Sequence, residues 1–224
     1  MILPDRDGFI KKSALMLINM LDYINSLPSL PLDCLEPEKT ALVIVDMING
    51  FTREGALKSE RIEALIPVIA GLSEECGKRG IARIAFADCH AEKSPEFGSY
   101  PVHCLAGTSE SELVDELKKH PGYLLIPKNS TNGFLEEGFR DWLARNGTIR
   151  NFIVVGDCTD ICVLQFALSL KTWFNMRNEL SRIIVPVDAV DTYDLGQHDG
   201  DLLNVVSLHI MAGSGIEPVK SVIF

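Results

Sequence analysis

Cys162 ends the segment Gly156-Asp157-Cys158-Thr159-Asp160-Ile161-Cys162, which follows the apolar run Phe152-Ile153-Val154-Val155. The order reads as a buried strand, a tight Gly-Asp turn and a helix opening near Thr159 or Asp160. Cys162 then lies in the first turn of that helix, where free backbone N–H groups and the helix dipole favour negative charge. A thiol held there tends to ionise and a developing oxyanion finds donors, which is the chemistry of a nucleophile. The same position also suits a small packed hydrophobe. Two other strand ends bear on the choice. Ala41-Leu42-Val43-Ile44-Val45 stops abruptly at Asp46, and Tyr123-Leu124-Leu125-Ile126-Pro127 stops at Lys128. Ligands of open α/β sheets bind at the carboxyl ends of the strands, so Asp46, Lys128 and Cys162 are candidates for one pocket.

A second group has the composition of a metal site. The strand 81–87 ends in Asp88-Cys89-His90. On extended backbone, residues two apart share a face, which pairs Asp88 with His90. The following loop is rich in Pro and Gly and can bring back His103, with Glu96 as a further carboxylate. Two imidazoles and carboxylates with open positions suit Zn²⁺, Fe²⁺ or Mn²⁺. A polar loop without metal fits the same spacing. Cys89 and Cys104 flank these residues and are expected to point into the core.

The elements that must position these groups alternate. Strand patterns fall at 41–46, 82–87, 123–127, 152–156 and 182–187, with a last one at 219–223. Helical patterns lie near 60–78, 110–119, 134–146, 160–173 and 198–212. This rhythm predicts an α/β fold of three layers, a mainly parallel β-sheet with helices on both faces. Ahead of it, 8–26 reads as an amphipathic helix carrying Ile10, Leu15, Leu17, Ile18, Leu21 and Ile24, followed by a proline-rich connector to residue 39. The division is therefore an arm and connector at 1–39 and a catalytic domain at 40–224. The arm is free to pack on the domain or on a neighbouring subunit.

With 224 residues and 46% hydrophobic content, the chain can bury one substantial core. A net charge of −10 argues against a nucleic-acid partner, and no basic run or long apolar stretch points to a membrane. The apolar residues 13–21 sit behind Asp5 and Asp7 and read as helix rather than signal peptide. The six cysteines make no small-domain disulfide framework and fit a reducing, cytoplasmic setting.

In these residues the chain resembles the nicotinamidase branch of the isochorismatase-like cysteine hydrolases, over roughly 40–224. Asp46-Met47-Ile48-Asn49-Gly50-Phe51 is similar to the family's D-x-x-N-x-F-like segment, and Lys128 to its strand-end lysine. Gly156-Asp157-Cys158-Thr159-Asp160-Ile161-Cys162-Val163 is similar to its nucleophile segment, G-x-x-T-D-x-C-V. Asp88-Cys89-His90 and Tyr100-Pro101-Val102-His103-Cys104 are similar to its metal-binding segments, with Glu96 where some members add a carboxylate. Departures are Ile48-Asn49-Gly50-Phe51 for Gln-Asn-Asp-Phe, Tyr100 for the usual Trp, a short loop from His90 to His103, and an atypical segment after Lys128. They bear on the shape of the substrate pocket.

The resemblance implies that Cys162 attacks a carboxamide to form a thioester, that Asp46 carries the proton, and that Lys128 supports both charges. It implies oxyanion donors among the N–H groups of Cys162, Cys158 and Thr159, and a non-proline cis peptide at Cys158–Thr159. A divalent metal, zinc foremost, would sit on Asp88, His90, His103 and Glu96 and grip the pyridine nitrogen of nicotinamide, between aromatic walls at Phe51 and Tyr100. Relatives of this kind often form homo-oligomers. Alternatives are a metal-independent hydrolase of another small carboxamide, carbamoyl or ureido compound, or a catalytically inactive binding relative. His198 and His209 are expected in a late helix with structural roles, Asp160 at the helix start as a cap, and Asp188 and Asp191 near the pocket rim.

Overall fold

The computed structural model describes residues 4–224. In chain order its elements are α1 (Arg6–Asn25), β1 (Leu30–Pro31), β2 (Thr40–Val45), α2 (Asn49–Thr52), α3 (Glu60–Glu63), α4 (Ile66–Lys78), β3 (Ala82–Asp88), α5 (Asp115–Lys118), β4 (Leu124–Lys128) and α6 (Glu137–Arg145). They continue with β5 (Asn151–Gly156), a wide turn at Thr159–Val163, α7 (Leu164–Met176), β6 (Arg182–Pro186), α8 (Gly200–Gly213), β7 (Glu217–Val219) and β8 (Val222–Ile223).

Six strands form one parallel sheet in the order β4-β3-β2-β5-β6-β7. Every residue of β2 is buried, as a central strand covered on both faces requires. Alternation along the strands splits the core. Val43, Val45, Phe86 and Val154 pack with Phe139 of α6, Phe166 of α7 and Met211 of α8. Leu42, Ile44, Ala85 and Ile153 pack with Ile69 and Leu72 of α4 and Leu117 of α5. The three-layer α/β architecture expected from the strand–helix rhythm is the one observed.

Several boundaries differ from expectation for local reasons. The single helix at 60–78 is two, because Pro67 starts a new first turn and cannot donate into a preceding one. Residues 110–114 do not join α5. Asn49 N–H donates to Glu112 O at 2.9 Å and Val114 N–H to Met47 O at 3.1 Å, so a bridge takes the backbone bonds a helix would need. The last strand is split: β7 ends the main sheet, and β8 pairs in parallel with β1, Leu30 opposite Val222 and Pro31 opposite Ile223. His198 lies before α8 rather than within it. Helix α1, capped by Asp5 accepting from Gly8 N–H at 2.8 Å, packs against α8 and buries Ile24. Among the described residues no helix is long and apolar enough to cross a membrane.

Candidate active site

Strands β2, β3 and β4 are neighbours, and their carboxyl ends bring Asp46, Asp88 and Lys128 to one level, Asp88 directly opposite Lys128. The Lys128 ammonium is fully buried. It lies 2.8 Å from Asp46 Oδ2, 2.6 Å from Asp88 Oδ1 and 3.6 Å from Cys162 Sγ, and donates to Ser130 O at 3.2 Å. Asp46 has φ 54, a left-handed backbone uncommon outside glycine, and its Oδ1 accepts from Asp88 N–H at 3.0 Å. That conformation swings its carboxylate toward the neighbouring strand ends.

Close approach on the other side depends on Gly156. Its φ is 112, and a Cβ there would fall 1.9 Å from Val45 O. Without a side chain, β5 can press on β2 and hand the chain to Cys158 and Cys162 beside Asp46. The turn at Thr159–Val163 is wider than an α-helix: Val163 N–H donates to Cys158 O, five residues back, at 3.0 Å. Such π-type turns occur mostly at functional positions.

Electrostatics separate the three groups. Burial pushes Asp46 up to about 7, with Asp88 adding to it and Lys128 opposing. Burial would also raise Asp88, but the Lys128 charge and the neighbouring imidazoles of His103 and His90 outweigh it and hold Asp88 well below the usual range. Burial works against the Lys128 charge, yet Asp46, Asp88 and Cys162 keep it firmly protonated. The expected tendency of Cys162 to ionise is corrected here: burial raises the thiol well above its ordinary value, and the Asp46 and Asp88 charges add to that against Lys128. The resting pair is a neutral thiol beside a carboxyl poised to take its proton.

Asp88, His90, Glu96 and His103 offer ligand atoms that all lie within 4.8 Å of one another. His103 Nδ1 faces Pro101 O at 2.8 Å and His90 Nδ1 faces Asn129 Oδ1 at 3.1 Å, partners that fix each ring with Nε2 toward the cluster. His90 Nε2 is buried and has no hydrogen-bond partner among the described residues. An orphaned imidazole nitrogen facing two carboxylates and a second imidazole fits a divalent cation, and the N/O donor set suits zinc, iron or manganese.

Asp88, Glu96, His103, Cys158 and Cys162 line a pocket of about 430 Å³, solvent mouth included, together with the rings of Phe51 and Tyr100. Phe51 and Tyr100 stand 5.7 and 6.2 Å from His103, ring to ring. Two expectations about the oxyanion side are corrected. Thr159 N–H donates to Asp191 O at 3.0 Å and is not free, whereas Cys158 N–H has no acceptor among the described residues. The cis peptide is Asp157–Cys158, one bond earlier, because the chain turns immediately after Gly156.

Tyr193, Leu57 and Thr131 also line the pocket and carried no sequence signal, since each comes from a loop; Asp157 and Ile161, which stand in the Cys162 segment but were given no role, line it as well. Asp160 does more than cap. Its two oxygens meet Thr192 Oγ1 at 2.6 Å and His198 Nε2 at 3.0 Å, tying the nucleophile turn to the loop after β6. Asp191 in that loop pairs with Arg61 at 2.8 Å. Asp188 lies elsewhere, near Val222 and Phe224, and His209 sits on the outer part of α8. Cys104 is buried as expected, while Cys89 is only half-buried.

Comparison with known proteins gives an isochorismatase domain over residues 40–212. Nicotinamidase 1 of Arabidopsis thaliana is 32% identical, the match covering 87% of this chain and 93% of that protein. The crystal structure of an N-carbamoylsarcosine amidase from Thermoplasma acidophilum superposes with TM-score 0.66 at 26% identity, over 81% of this chain and 96% of that one. A pyrazinamidase of Pyrococcus horikoshii, solved in complex with zinc, superposes with TM-score 0.66 at 23% identity, over 81% and 99% of the two chains.

Proposed function

We propose that this chain, which belongs to the isochorismatase family as a nicotinamidase-like hydrolase of amide C–N bonds, converts nicotinamide to nicotinate and ammonia. The observation that carries the reading is the buried Lys128 ammonium held between Asp46 Oδ2 at 2.8 Å and Cys162 Sγ at 3.6 Å, with Cys162 itself lining a pocket that Phe51 and Tyr100 also line.

Asp46 takes the Cys162 proton as sulfur attacks the carboxamide carbon. The resulting oxyanion is received by the N–H groups of Cys158 and Cys162, with each donor of this type contributing roughly 3 kcal/mol to the transition state. Asp46 returns the proton to the departing nitrogen, ammonia leaves, and a thioester remains on Cys162. The same carboxylate then activates water to release the acid. Lys128 keeps the Asp46 carboxylate aimed and offsets the negative charge passing between sulfur and oxygen. Phe51 and Tyr100 flank a flat ring. Asp88, His90, Glu96 and His103 would hold a divalent metal, zinc by analogy with the zinc complex of the pyrazinamidase. Bound there, the ion would supply a Lewis acid for the ring nitrogen of the substrate.

Ammonia release from nicotinamide by metal-loaded protein tests the reading. Release abolished by chelation, restored by zinc and lost in Cys162→Ala is the expected result; Cys162→Ala with near-normal activity would overturn it. A second reading, hydrolysis of a small carbamoyl or ureido compound, has the likeness to the carbamoylsarcosine amidase in its favour and predicts turnover of such compounds and none of nicotinamide. The remaining parts of the reading are a catalytic domain at 40–224 carrying an arm at 1–39, cytoplasmic residence in keeping with a reduced nucleophile, and assembly into a homo-oligomer.

A further inference from the structure

Asp157 is a buried acid of the pocket that the scheme above leaves idle. Its side chain is 1% exposed and lines the pocket with Cys158 and Cys162. Asp157 Oδ2 and the Cys158 sulfur lie 3.5 Å apart. Oδ1 is buried with no hydrogen-bond partner among the described residues. A polar atom left in that state costs about 1–3 kcal/mol, whereas an apolar side chain at the same place would cost nothing of the kind.

The backbone places this group on a particular side of the reacting centre. Asp157 N–H donates to Val45 O at 3.0 Å, which seats the residue beside Asp46. Burial, and then the Asp46 charge, hold the Asp157 carboxyl well above the usual range against the Cys158 thiol and Lys128, so it rests neutral, with its proton on Oδ2 toward the Cys158 sulfur and Oδ1 left as the carbonyl acceptor, and does not compete with Asp46 as a base. A primary carboxamide presents a carbonyl oxygen on one side and two N–H groups on the other. In the scheme above the carbonyl faces the amides of Cys158 and Cys162, and the nitrogen faces Asp46. With Asp157 seated beside Asp46, that scheme assigns its free oxygen to the nitrogen side.

We propose that Asp157 contacts substrate and determines specificity: its unpaired Oδ1 accepts an N–H of the scissile –NH₂ group, orienting the leaving nitrogen and selecting primary amides over esters. The inference rests on the nicotinamide reading. Asp157 forms no bond and moves no proton; the proton that leaves with ammonia still comes from Asp46.

The test compares kcat/KM for nicotinamide and for methyl nicotinate, which lacks N–H groups, in the metal-loaded wild type and in Asp157→Leu and Asp157→Asn. Leu should lower the amide reaction about 10- to 100-fold while the ester stays within about threefold. Asn, which keeps a carbonyl acceptor, should hold the amide rate within about fivefold of wild type. Asp157→Val serves in place of Leu where Leu prevents folding. Equal loss on amide and ester would overturn the inference, because the carboxyl would then act on the carbonyl side or on structure alone, and so would no loss on either. A wild type that turns over neither compound removes the nicotinamide reading and this inference with it. A wild type active on both, with an amide-to-ester ratio unchanged in the Leu variant, removes the inference alone.

Discussion

Replacing Lys128 by Met would take away a cation that two buried carboxylates share, at 2.8 and 2.6 Å, while keeping most of the side chain's length. Breaking one partner out of such a buried set costs about 3–5 kcal/mol, so Lys128→Met should unfold well below the wild type in a thermal melt. Its effect on pH dependence is separate. In the proposed scheme Asp46 acts as a base only when ionised, and it is held up to about 7, so kcat/KM should fall as the pH drops below about 7. Lys128 opposes that rise, so its loss should move this acidic limb to higher pH, read directly from a pH–rate profile of whatever activity remains. Much of this site was legible at the level of single residues. Asp46, Asp88, Lys128 and Cys162 each end an apolar run or open a turn, and that signal survives in one dimension. The charge balance was not, because burial depends on neighbours from other strands: position in a first turn suggested an ionised thiol, while desolvation keeps it neutral.

At the scale of elements, the site is a set of strand ends and two loops that must stay in register. Gly156→Ala would drive a Cβ to within 1.9 Å of Val45 O, and backbone cannot step aside as a flexible side chain can. The expected result is destabilisation by more than about 3 kcal/mol, or failure to accumulate folded protein, measured by chemical denaturation. Arg61 works on a softer joint. Its guanidinium reaches Asp191 Oδ1 at 2.8 Å, Thr192 O at 3.0 Å and Asp201 Oδ1 at 2.9 Å, clasping the loop that carries Tyr193 and the first turn of α8 onto α3. Arg61→Ala should free that wall, raising KM several-fold with a smaller change in kcat, and Arg61→Lys should not restore it because an ammonium lacks the planar fork. Strands were legible for a physical reason: five-residue apolar runs buried on both faces leave little alternative. Helices were read too long where a proline or a tertiary bridge intervened, as at Pro67 and at Val114. The loop after β6 gave no periodic pattern at all, so Tyr193, Thr192 and the role of His198 became visible only once Asp160 was seen to bind two of its residues.

For the whole molecule, the most unusual surface belongs to α1. Phe9, Ile10, Leu15 and Ile18 are each more than half exposed, spread around a helix that buries only Ile24, and so many large apolar side chains left in water favour a contact. With the homo-oligomer proposed above, Phe9→Ser combined with Ile18→Ser should lower the assembly state in light scattering and leave ammonia release per protomer intact. The arm that carries this face is held on the domain partly by the short ribbon of β1 and β8. Its two strands are 192 positions apart, Leu30 against Val222. At about 5–20 residues per second, a ribosome delivers Val222 roughly 10–40 s after Leu30. The β1 segment is thus made well before the strand that fastens it, and during that interval the apolar helix ahead of it has no β8 to anchor it. A nascent chain of this protein exposes the apolar side chains of α1 well before β8 exists to secure the arm, which makes that helix the natural place for a chaperone to hold.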